Sequence, residues 1–306
     1  MKHSIKPILF VTLSVLIVTL LFSSCRRPAS MEESGTQQTS DATSSLSTPS
    51  STATLETTAS PKIGWVEVGG KYYYYGEPDV MSTGWVVVED TPRFFRDDGS
   101  MATGLVEIDG KTHYFGSDGT EFLMVNPWNF MPEGYVPEIK AINDWQYVDA
   151  VCYEPLMKML EDCRGAGLEP YVASAYRTHG DQQWLFQNKV SRLIAEGHSR
   201  EEAEKLAATV IAIPGTSEHE LGLALDLVDN SYRNLDEAQE NCPVQKWLME
   251  NSWKYGFILR YPNGKSNITG IIYEPWHYRY VGTTIASEIY ASGLCLEEYI
   301  ERLTTE

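Results

Sequence analysis

Apolar and polar positions follow different periods in successive parts of the chain, and each period predicts a different kind of element. The first is a predominantly apolar run over 8–22 that follows Lys2 and Lys6. A helix needs about 20 apolar residues to cross a bilayer, whereas a shorter run behind basic residues is typical of an export signal. Residues 1–24 are therefore predicted to form a signal peptide.

The residues after this run indicate how the exported protein is held. Ser23 and Ser24 precede Cys25, and small residues before a cysteine resemble a bacterial lipoprotein signal, in which that cysteine is lipidated. Simple cleavage, or retention of the apolar run as a membrane anchor, are the alternatives. Residues 25–62 are rich in Ser and Thr and predict a disordered tether. The predicted location is extracytoplasmic and membrane-anchored, at the bacterial cell surface.

Residues 63–123 carry a pattern that recurs every 20 residues. The units begin at Gly64-Trp65, Gly84-Trp85 and Gly104-Leu105. An aromatic cluster follows each start, and Asp-Gly turns stand at 98–99 and 118–119. Alternating apolar residues before a turn predict one β-hairpin per unit. Because a single hairpin is not stable alone, the hairpins are expected to stack into a small solenoid.

This pattern resembles the choline-binding-type, cell-wall-binding repeats of Gram-positive surface proteins. In that family, aromatic rings of neighbouring repeats enclose a quaternary ammonium through the attraction between a cation and ring faces. The resemblance implies that residues 63–123 bind a cell-wall polymer, and choline is the narrower form of this prediction. The alternative is that the rings form only the core of the solenoid. Leu105 stands where the family has tryptophan.

From residue 124 to residue 306 the pattern changes to helical spacing mixed with short apolar runs. Helices are expected over 156–163, from 181, from a Ser199–Glu202 capping box and from Pro243, and strands over 171–173, 255–261 and 270–273. These elements rest on apolar spacing, on capping residues and on proline at a helix start. Helices mixed with short, closely spaced strands indicate an α+β unit rather than a doubly wound parallel sheet.

Charge and cysteine content limit the partners and the covalent structure. The net charge of −18 leaves no basic surface to neutralise phosphates, which excludes a nucleic-acid partner. Cys152, Cys163, Cys242 and Cys295 are too few for a disulfide scaffold in a domain of this size. Cys152 and Cys163 are expected on one helix and too far apart to bridge. We interpret all four as packing residues and leave a single disulfide open.

Two segments carry the strongest chemical signal, 217–226 and 274–278. Leucines at 221, 223, 225 and 227 alternate with small residues and Asp226, which predicts a strand with Asp226 facing a cleft. His219, Asp226 and His277 supply two imidazoles and one carboxylate. A hydrolytic zinc takes three such ligands and keeps one position for water. Glu274, with Pro275 disfavouring a helix, is placed in a turn as the base that activates this water.

These residues resemble, nearly position for position, the VanY-type D-alanyl-D-alanine carboxypeptidases, a family of zinc peptidases. The shared pattern is Ser-x-His with Asp seven residues after the His, followed by Glu-Pro-Trp-His, and the likeness covers roughly 144–282. It implies a Hedgehog/DD-peptidase-like fold. It also implies zinc on His219, Asp226 and His277, with Glu274 as the catalytic base.

A second block of this family is also present, with Ser-x-Tyr-Arg at 174–177 and Gln182 five residues after the Arg. The resemblance implies that Arg177, Gln182 and Ser217 bind the terminal D-residue of the substrate. This agrees with chemistry, because a planar guanidinium recognises a free carboxylate through two hydrogen bonds. His179 fits no ligand position and is expected at the surface or beside the site.

The sequence thus predicts a zinc D-alanyl-D-alanine carboxypeptidase acting on peptidoglycan stem peptides. The same site can serve an L,D-carboxypeptidase, a D,D-dipeptidase or an endopeptidase. A rival of another class is an inactive wall-binding surface protein. Because the ligands, the base and Arg177 are all present, the sequence favours the enzyme.

Overall fold

The computed structural model describes residues 60–305. The predicted signal peptide, Cys25 and nearly all of the tether lie outside these residues. All described residues belong to one unit, Ala59–Glu306, so the hairpin segment and the α+β segment form a single body. No helix within residues 60–305 is long and apolar enough to cross a bilayer.

The aromatic repeats form the predicted hairpins. Their strands are β1 Gly64–Val68, β2 Lys71–Glu77, β3 Val80–Met81, β4 Gly84–Val88, β5 Thr91–Phe95, β6 Gly104–Ile108, β7 Lys111–Phe115 and β8 Glu121–Phe122. All pairs are antiparallel, and β1–β2, β4–β5 and β6–β7 begin with the same register, a glycine opposite an aromatic residue. The 20-residue sequence period is therefore also a structural period.

The second residue of each hairpin makes a contact outside its own hairpin. The Trp65 ring lies 6.0 Å from the Phe95 ring, and the Trp85 ring lies 5.8 Å from the Phe115 ring. Residues 60–305 contain no fourth hairpin of this kind, and the Leu105 amide instead donates to the Thr304 side chain at 2.9 Å. The departure from tryptophan at this position therefore coincides with a change of neighbour, from a hairpin to the C-terminal helix.

The rest of the described chain is a mixed α+β structure, as predicted. Its strands are β9 Ile139–Ala141, β10 Tyr147–Asp149, β11 Pro170–Ser174, β12 Ala224–Asp229, β13 Phe257–Leu259 and β14 His277–Tyr280. Its helices are α1 Ala150–Gly165, α2 His179–Ala195, α3 Arg200–Ala208, α4 Pro243–Asn251, α5 Ser266–Thr269, α6 Thr283–Ser292 and α7 Leu296–Thr305. Strands β11, β12, β14 and β13 form one antiparallel sheet in that order.

The main core lies between this sheet and helices α1 and α4. Leu156 and Met159 of α1 pack with Leu225 and Leu227 of β12 and with Leu248 of α4, and none of the five side chains is exposed. The spacing of apolar residues in α1 and in the Pro243 helix predicted this packing, because i, i+3 and i+4 positions share one face. The core fixes β12, which carries part of the site.

Three predicted elements differ from the structure. The alternating segment 221–227 is not one strand, because Glu218–Leu221 is a 3-10 helix and β12 begins only at Ala224. Residues 270–273 follow the short helix α5 and form no strand, and the strand expected over 255–261 is limited to Phe257–Leu259. Period-two alternation also fits a turn whose backbone conformation is set by glycine. Apolar runs of this length do not distinguish a strand from other structure.

Candidate active site

The two central strands of the sheet place the predicted ligands side by side. Asp226 on β12 is paired with His277 on β14 and lies opposite Ser174 on β11. His219 reaches the same end of the sheet from the 3-10 helix Glu218–Leu221. Residues far apart in sequence therefore meet because β12 and β14 pair at Asp226 and His277 and the 3-10 helix brings His219 beside that pair.

Gly222 sets the path of the chain between His219 and Asp226. Its φ of +72° lies in the left-handed region, where a side chain is disfavoured. A Cβ atom at this position would also stand 2.9 Å from the backbone nitrogen of Asp149. The close approach of these two segments brings His219 to the end of β12, so glycine is required there for two reasons.

His219, Asp226 and His277 form a buried cluster whose ligand atoms all lie within 4.8 Å of one another. Asp226 Oδ1 is 3.4 Å from His219 Nε2 and 3.3 Å from His277 Nδ1. Within residues 60–305 this oxygen accepts no hydrogen bond. A buried acceptor without a donor, facing two imidazole nitrogens, fits a divalent cation such as zinc, which takes nitrogen and oxygen ligands.

The far side of each imidazole is also held. His219 Nδ1 donates to the Ala175 carbonyl at 2.8 Å, so Nε2 faces the cluster, where Arg177 Nη2 lies 3.2 Å from it. His277 Nε2 lies 3.5 Å from Glu218 Oε2. Burial and the nearby Arg177 lower the pKa of His219 to about 4, which favours the neutral imidazole that metals require.

Glu274 stands at the rim of this cluster, as the turn around Pro275 predicted. Its backbone nitrogen donates to the Tyr261 backbone carbonyl, and its own backbone carbonyl accepts from the His277 amide at 3.2 Å. Its Oε2 atom is 3.6 Å from His277 Nδ1. Burial raises the pKa of Glu274 to about 8, against the opposing effect of His277. A carboxylate with raised basicity beside a metal-binding cluster is suited to accept a proton.

Arg177 lies at the same cleft, where it is 3.2 Å from His219 Nε2 and has three further hydrogen-bond partners. It donates to Asp226 Oδ2 at 2.9 Å, to Gln182 Oε1 at 3.1 Å and to Ser174 Oγ at 3.0 Å. Gln182 is fully buried, and its amide nitrogen donates to the Ala212 carbonyl at 2.7 Å. In the structure Gln182 therefore orients Arg177. A direct contact between Gln182 and the substrate stays a prediction.

One cleft of about 250 Å³ contains the residues that carry chemistry, Arg177, Ser217, His219, Asp226, Glu274 and His277. Its remaining wall is largely apolar and is formed by Leu185, Val210, Ile211, Leu235, Ile271 and Trp276. Trp276 is buried and also lines the cleft. Polar groups that converge in an otherwise apolar cleft are typical of a small-ligand site.

Several residues outside the ligand set have structural partners. His179 Nδ1 lies 2.8 Å from the buried Glu220, which also accepts from the Gly215 amide. The four cysteines of the described residues are unpaired; Cys152, Cys163 and Cys295 are buried, in agreement with their interpretation as packing residues, whereas Cys242 is only partly buried. Sequence reasoning missed Glu218, which is buried behind His277.

Comparison with known proteins agrees with this geometry. The model of the VanY family, described as D-alanyl-D-alanine carboxypeptidase, matches residues 146–283. Two solved structures, VanYB in complex with D-Ala-D-Ala and a VanY variant in complex with Zn(II), are each 41% identical to the chain and have TM-scores of 0.54. Each match covers 58% of this chain, and the two matches cover 96% and 97% of the respective solved chains. The chain belongs to this family.

A curated relative matches the chain over part of its own length. The D-alanyl-D-alanine carboxypeptidase of Enterococcus faecalis is 42% identical over 178 residues, which are 58% of this chain. The match spans 65% of that relative's length, just under two thirds. The family segment contains every predicted ligand, the base and Arg177, whereas the hairpins and helix α7 lie outside it.

Proposed function

We propose that this protein is a zinc-dependent D-alanyl-D-alanine carboxypeptidase that removes the terminal D-residue of peptidoglycan stem peptides. The observation that carries the proposal is the convergence of His219, Asp226 and His277 on one point, with Glu274 and Arg177 in the same cleft. Membership of the VanY family supports the substrate class.

Different residues of the chain carry out different steps of the hydrolysis. A bound zinc would supply a polarised water and compensate charge on the carbonyl oxygen. Glu274 accepts a proton from the attacking water at its carboxylate and returns it to the amine of the departing D-alanine. Arg177 binds the terminal carboxylate, and the apolar wall excludes bulk water. One water is consumed, and D-alanine and the shortened peptide are released.

The experiment that tests this proposal is mass analysis of the products from three muropeptides. The substrates end in D-Ala-D-Ala, in a single D-Ala after an L-centre, or in a cross-link between two stems. Release of one D-alanine from the first substrate is expected, with loss of activity after zinc removal. Preferred cleavage of the second, release of a dipeptide, or cleavage of the cross-link would assign the L,D-carboxypeptidase, dipeptidase or endopeptidase alternative. No product from any of them would favour an inactive surface protein.

We also propose that the protein is a lipoprotein anchored through Cys25 on the outer face of the cytoplasmic membrane. The support is the sequence itself, a short apolar run behind basic residues with small residues before the cysteine. Cys25→Ala should abolish incorporation of labelled fatty acid and release the protein from the membrane fraction. Full retention of the label would contradict lipidation at this residue.

The hairpins of residues 63–123 are proposed to stack as a small solenoid that binds a cell-wall polymer. Trp65 and Trp85 remain partly exposed at the junctions between hairpins, at 36% and 46%. The Arg93 guanidinium lies 5.3 Å from the centre of the Trp65 ring, where a quaternary ammonium would compete with it. We therefore expect Trp85→Ala to weaken sedimentation with isolated cell walls. Elution of the wild-type protein by free choline would identify choline as the ligand.

A further inference from the structure

Glu218 is a buried carboxylate that the reaction itself does not use. It begins the 3-10 helix that carries His219, and only 1% of its surface is exposed. Its Oε1 atom accepts from Arg260 Nε at 2.8 Å and from Arg279 Nη1 at 3.0 Å. An anion between two buried guanidinium groups is held in a single orientation, since both donors are themselves fixed by further contacts.

The other oxygen of Glu218 faces the predicted ligand His277. Oε2 lies 3.5 Å from His277 Nε2, and neither atom has a hydrogen bond to any other group of the described chain. The opposite ring nitrogen, Nδ1, is the one that faces Asp226 and Glu274. When Nδ1 serves as a metal ligand, the neutral imidazole carries its proton on Nε2, and a buried N–H group requires an acceptor.

The two arginines connect Glu218 to parts of the chain outside the family segment 146–283. Arg260 donates to both carboxylate oxygens of Glu297 on α7, at 2.8 and 2.6 Å. Arg279 Nη2 donates to the Leu123 carbonyl at 2.8 Å, just after the third hairpin. The orientation of Glu218 therefore depends on the C-terminal helix and on the segment that enters the α+β unit.

We propose that Glu218 is the positioning residue of His277, accepting its Nε2–H so that Nδ1 is directed at the metal, and that Arg260 and Arg279 hold it in place. The inference rests on the proposed function only in assuming that His219, Asp226 and His277 bind zinc. Partners of metal-bound histidines commonly change metal affinity by 10- to 100-fold when they are removed. The competing interpretation is that Glu218 only neutralises two buried arginines.

The first test compares Glu218→Gln with Glu220→Gln in the full chain. Glu220 is a matched control, because it is equally buried and lies on the same 3-10 helix but contacts His179 and Gly215 instead of a ligand. Zinc affinity, measured by chelator competition, is expected to fall by about 10- to 100-fold in Glu218→Gln and to stay within about 3-fold in Glu220→Gln. Equal affinities in both variants would overturn the inference.

A spectroscopic measurement separates positioning from a purely structural effect. The visible absorption of the cobalt(II)-substituted protein reports the geometry of the ligand set. We expect Glu218→Gln to shift this spectrum while Glu220→Gln leaves it unchanged. An equal shift in Glu220→Gln would assign the effect to the loss of any buried charge on this 3-10 helix and would contradict the role of Glu218.

The wild-type protein provides a test if Glu218→Gln does not fold. In its cobalt(II) form, proton NMR should show two shifted, slowly exchanging N–H signals, from His219 Nδ1 and His277 Nε2. A single such signal would contradict the proposed acceptor.

Failure of the proposed function can be distinguished from failure of this inference. If zinc remained fully bound in His219→Ala, the metal site itself would be rejected, whatever the role of Glu218.

Discussion

At the scale of single residues, the chemistry of the site follows from a few side chains whose surroundings assign their roles. The ligand set was predictable from sequence, because two histidines and an aspartate in a spaced motif have few other uses together. The role of Gln182 was not, since spacing places it near Arg177 but does not show that it is buried behind the guanidinium. Glu218 was missed for a similar reason, as only the fold brings it to His277.

Glu274 gives the first prediction at this scale. Glu274→Gln should lower kcat by about 10²- to 10⁴-fold, because an amide cannot accept the proton of the attacking water. Zinc content should remain at the wild-type level, since Glu274 is not among the three converging ligands. Metal analysis and steady-state kinetics on the same preparation check both statements. Parallel loss of zinc and turnover would show that Glu274 is structural.

Arg177 gives the second prediction, which concerns substrate binding. Arg177→Lys keeps the charge but loses the planar pair of donors that matches a carboxylate. We expect kcat/KM to fall by about 10- to 100-fold, the range of a lost hydrogen bond to a charged group. A substrate whose terminal carboxylate is amidated should be cleaved equally poorly by the variant and by the wild-type protein. Unchanged kcat/KM for the free acid would remove Arg177 from carboxylate recognition.

At the scale of elements, the sequence predicted which segments form helices better than it predicted where strands begin. Helices α1 and α4 have apolar spacing and proline or capping signals that act locally. The segment 221–227 alternates as a strand does, yet its first part is a 3-10 helix because Gly222 takes a left-handed conformation against Asp149. That contact is long-range and leaves no periodic signal in the sequence.

Gly222 supplies the prediction at this scale. Gly222→Ala should lower the free energy of unfolding by about 1–3 kcal/mol, because it combines a strained φ with a backbone clash. Gly165→Ala at the end of α1 is the control, as no atom outside the adjoining backbone of its own helix lies within 4 Å of the added Cβ. Urea denaturation of both variants checks this. Similar stabilities for the two would show that the 222 loop can move away from Asp149 without cost.

At the scale of the whole molecule, the hairpins and the α+β unit are joined through the C-terminal helix. The predicted boundary between 123 and 124 marks a change of pattern, but contacts cross it. The Leu105 amide donates a hydrogen bond to the Thr304 side chain, and a Cβ at Gly104 would stand 2.7 Å from the Leu303 carbonyl carbon. The Tyr299 hydroxyl accepts a hydrogen bond from the Ser117 amide at 3.2 Å and donates one to Glu288 at 2.7 Å.

Tyr299 allows this junction to be tested. Tyr299→Phe should lower the free energy of unfolding by about 0.5–1.5 kcal/mol, the typical contribution of an intramolecular hydrogen bond. A single cooperative transition is expected for wild type and variant, because hairpins and helices belong to one unit. Calorimetry on the full chain provides both quantities. Two separate transitions in the wild-type protein would contradict a common folding unit.

The proposed enzyme depends above all on His219, Asp226 and His277 binding one zinc ion. A crystal structure of the full chain grown with zinc, with anomalous diffraction recorded at the zinc edge, tests this directly. We predict one strong peak bonded to His219 Nε2, His277 Nδ1 and an Asp226 oxygen, at about 2.0–2.2 Å. Anomalous density elsewhere, with these three side chains free of metal, would contradict the proposed zinc site and the hydrolysis built on it.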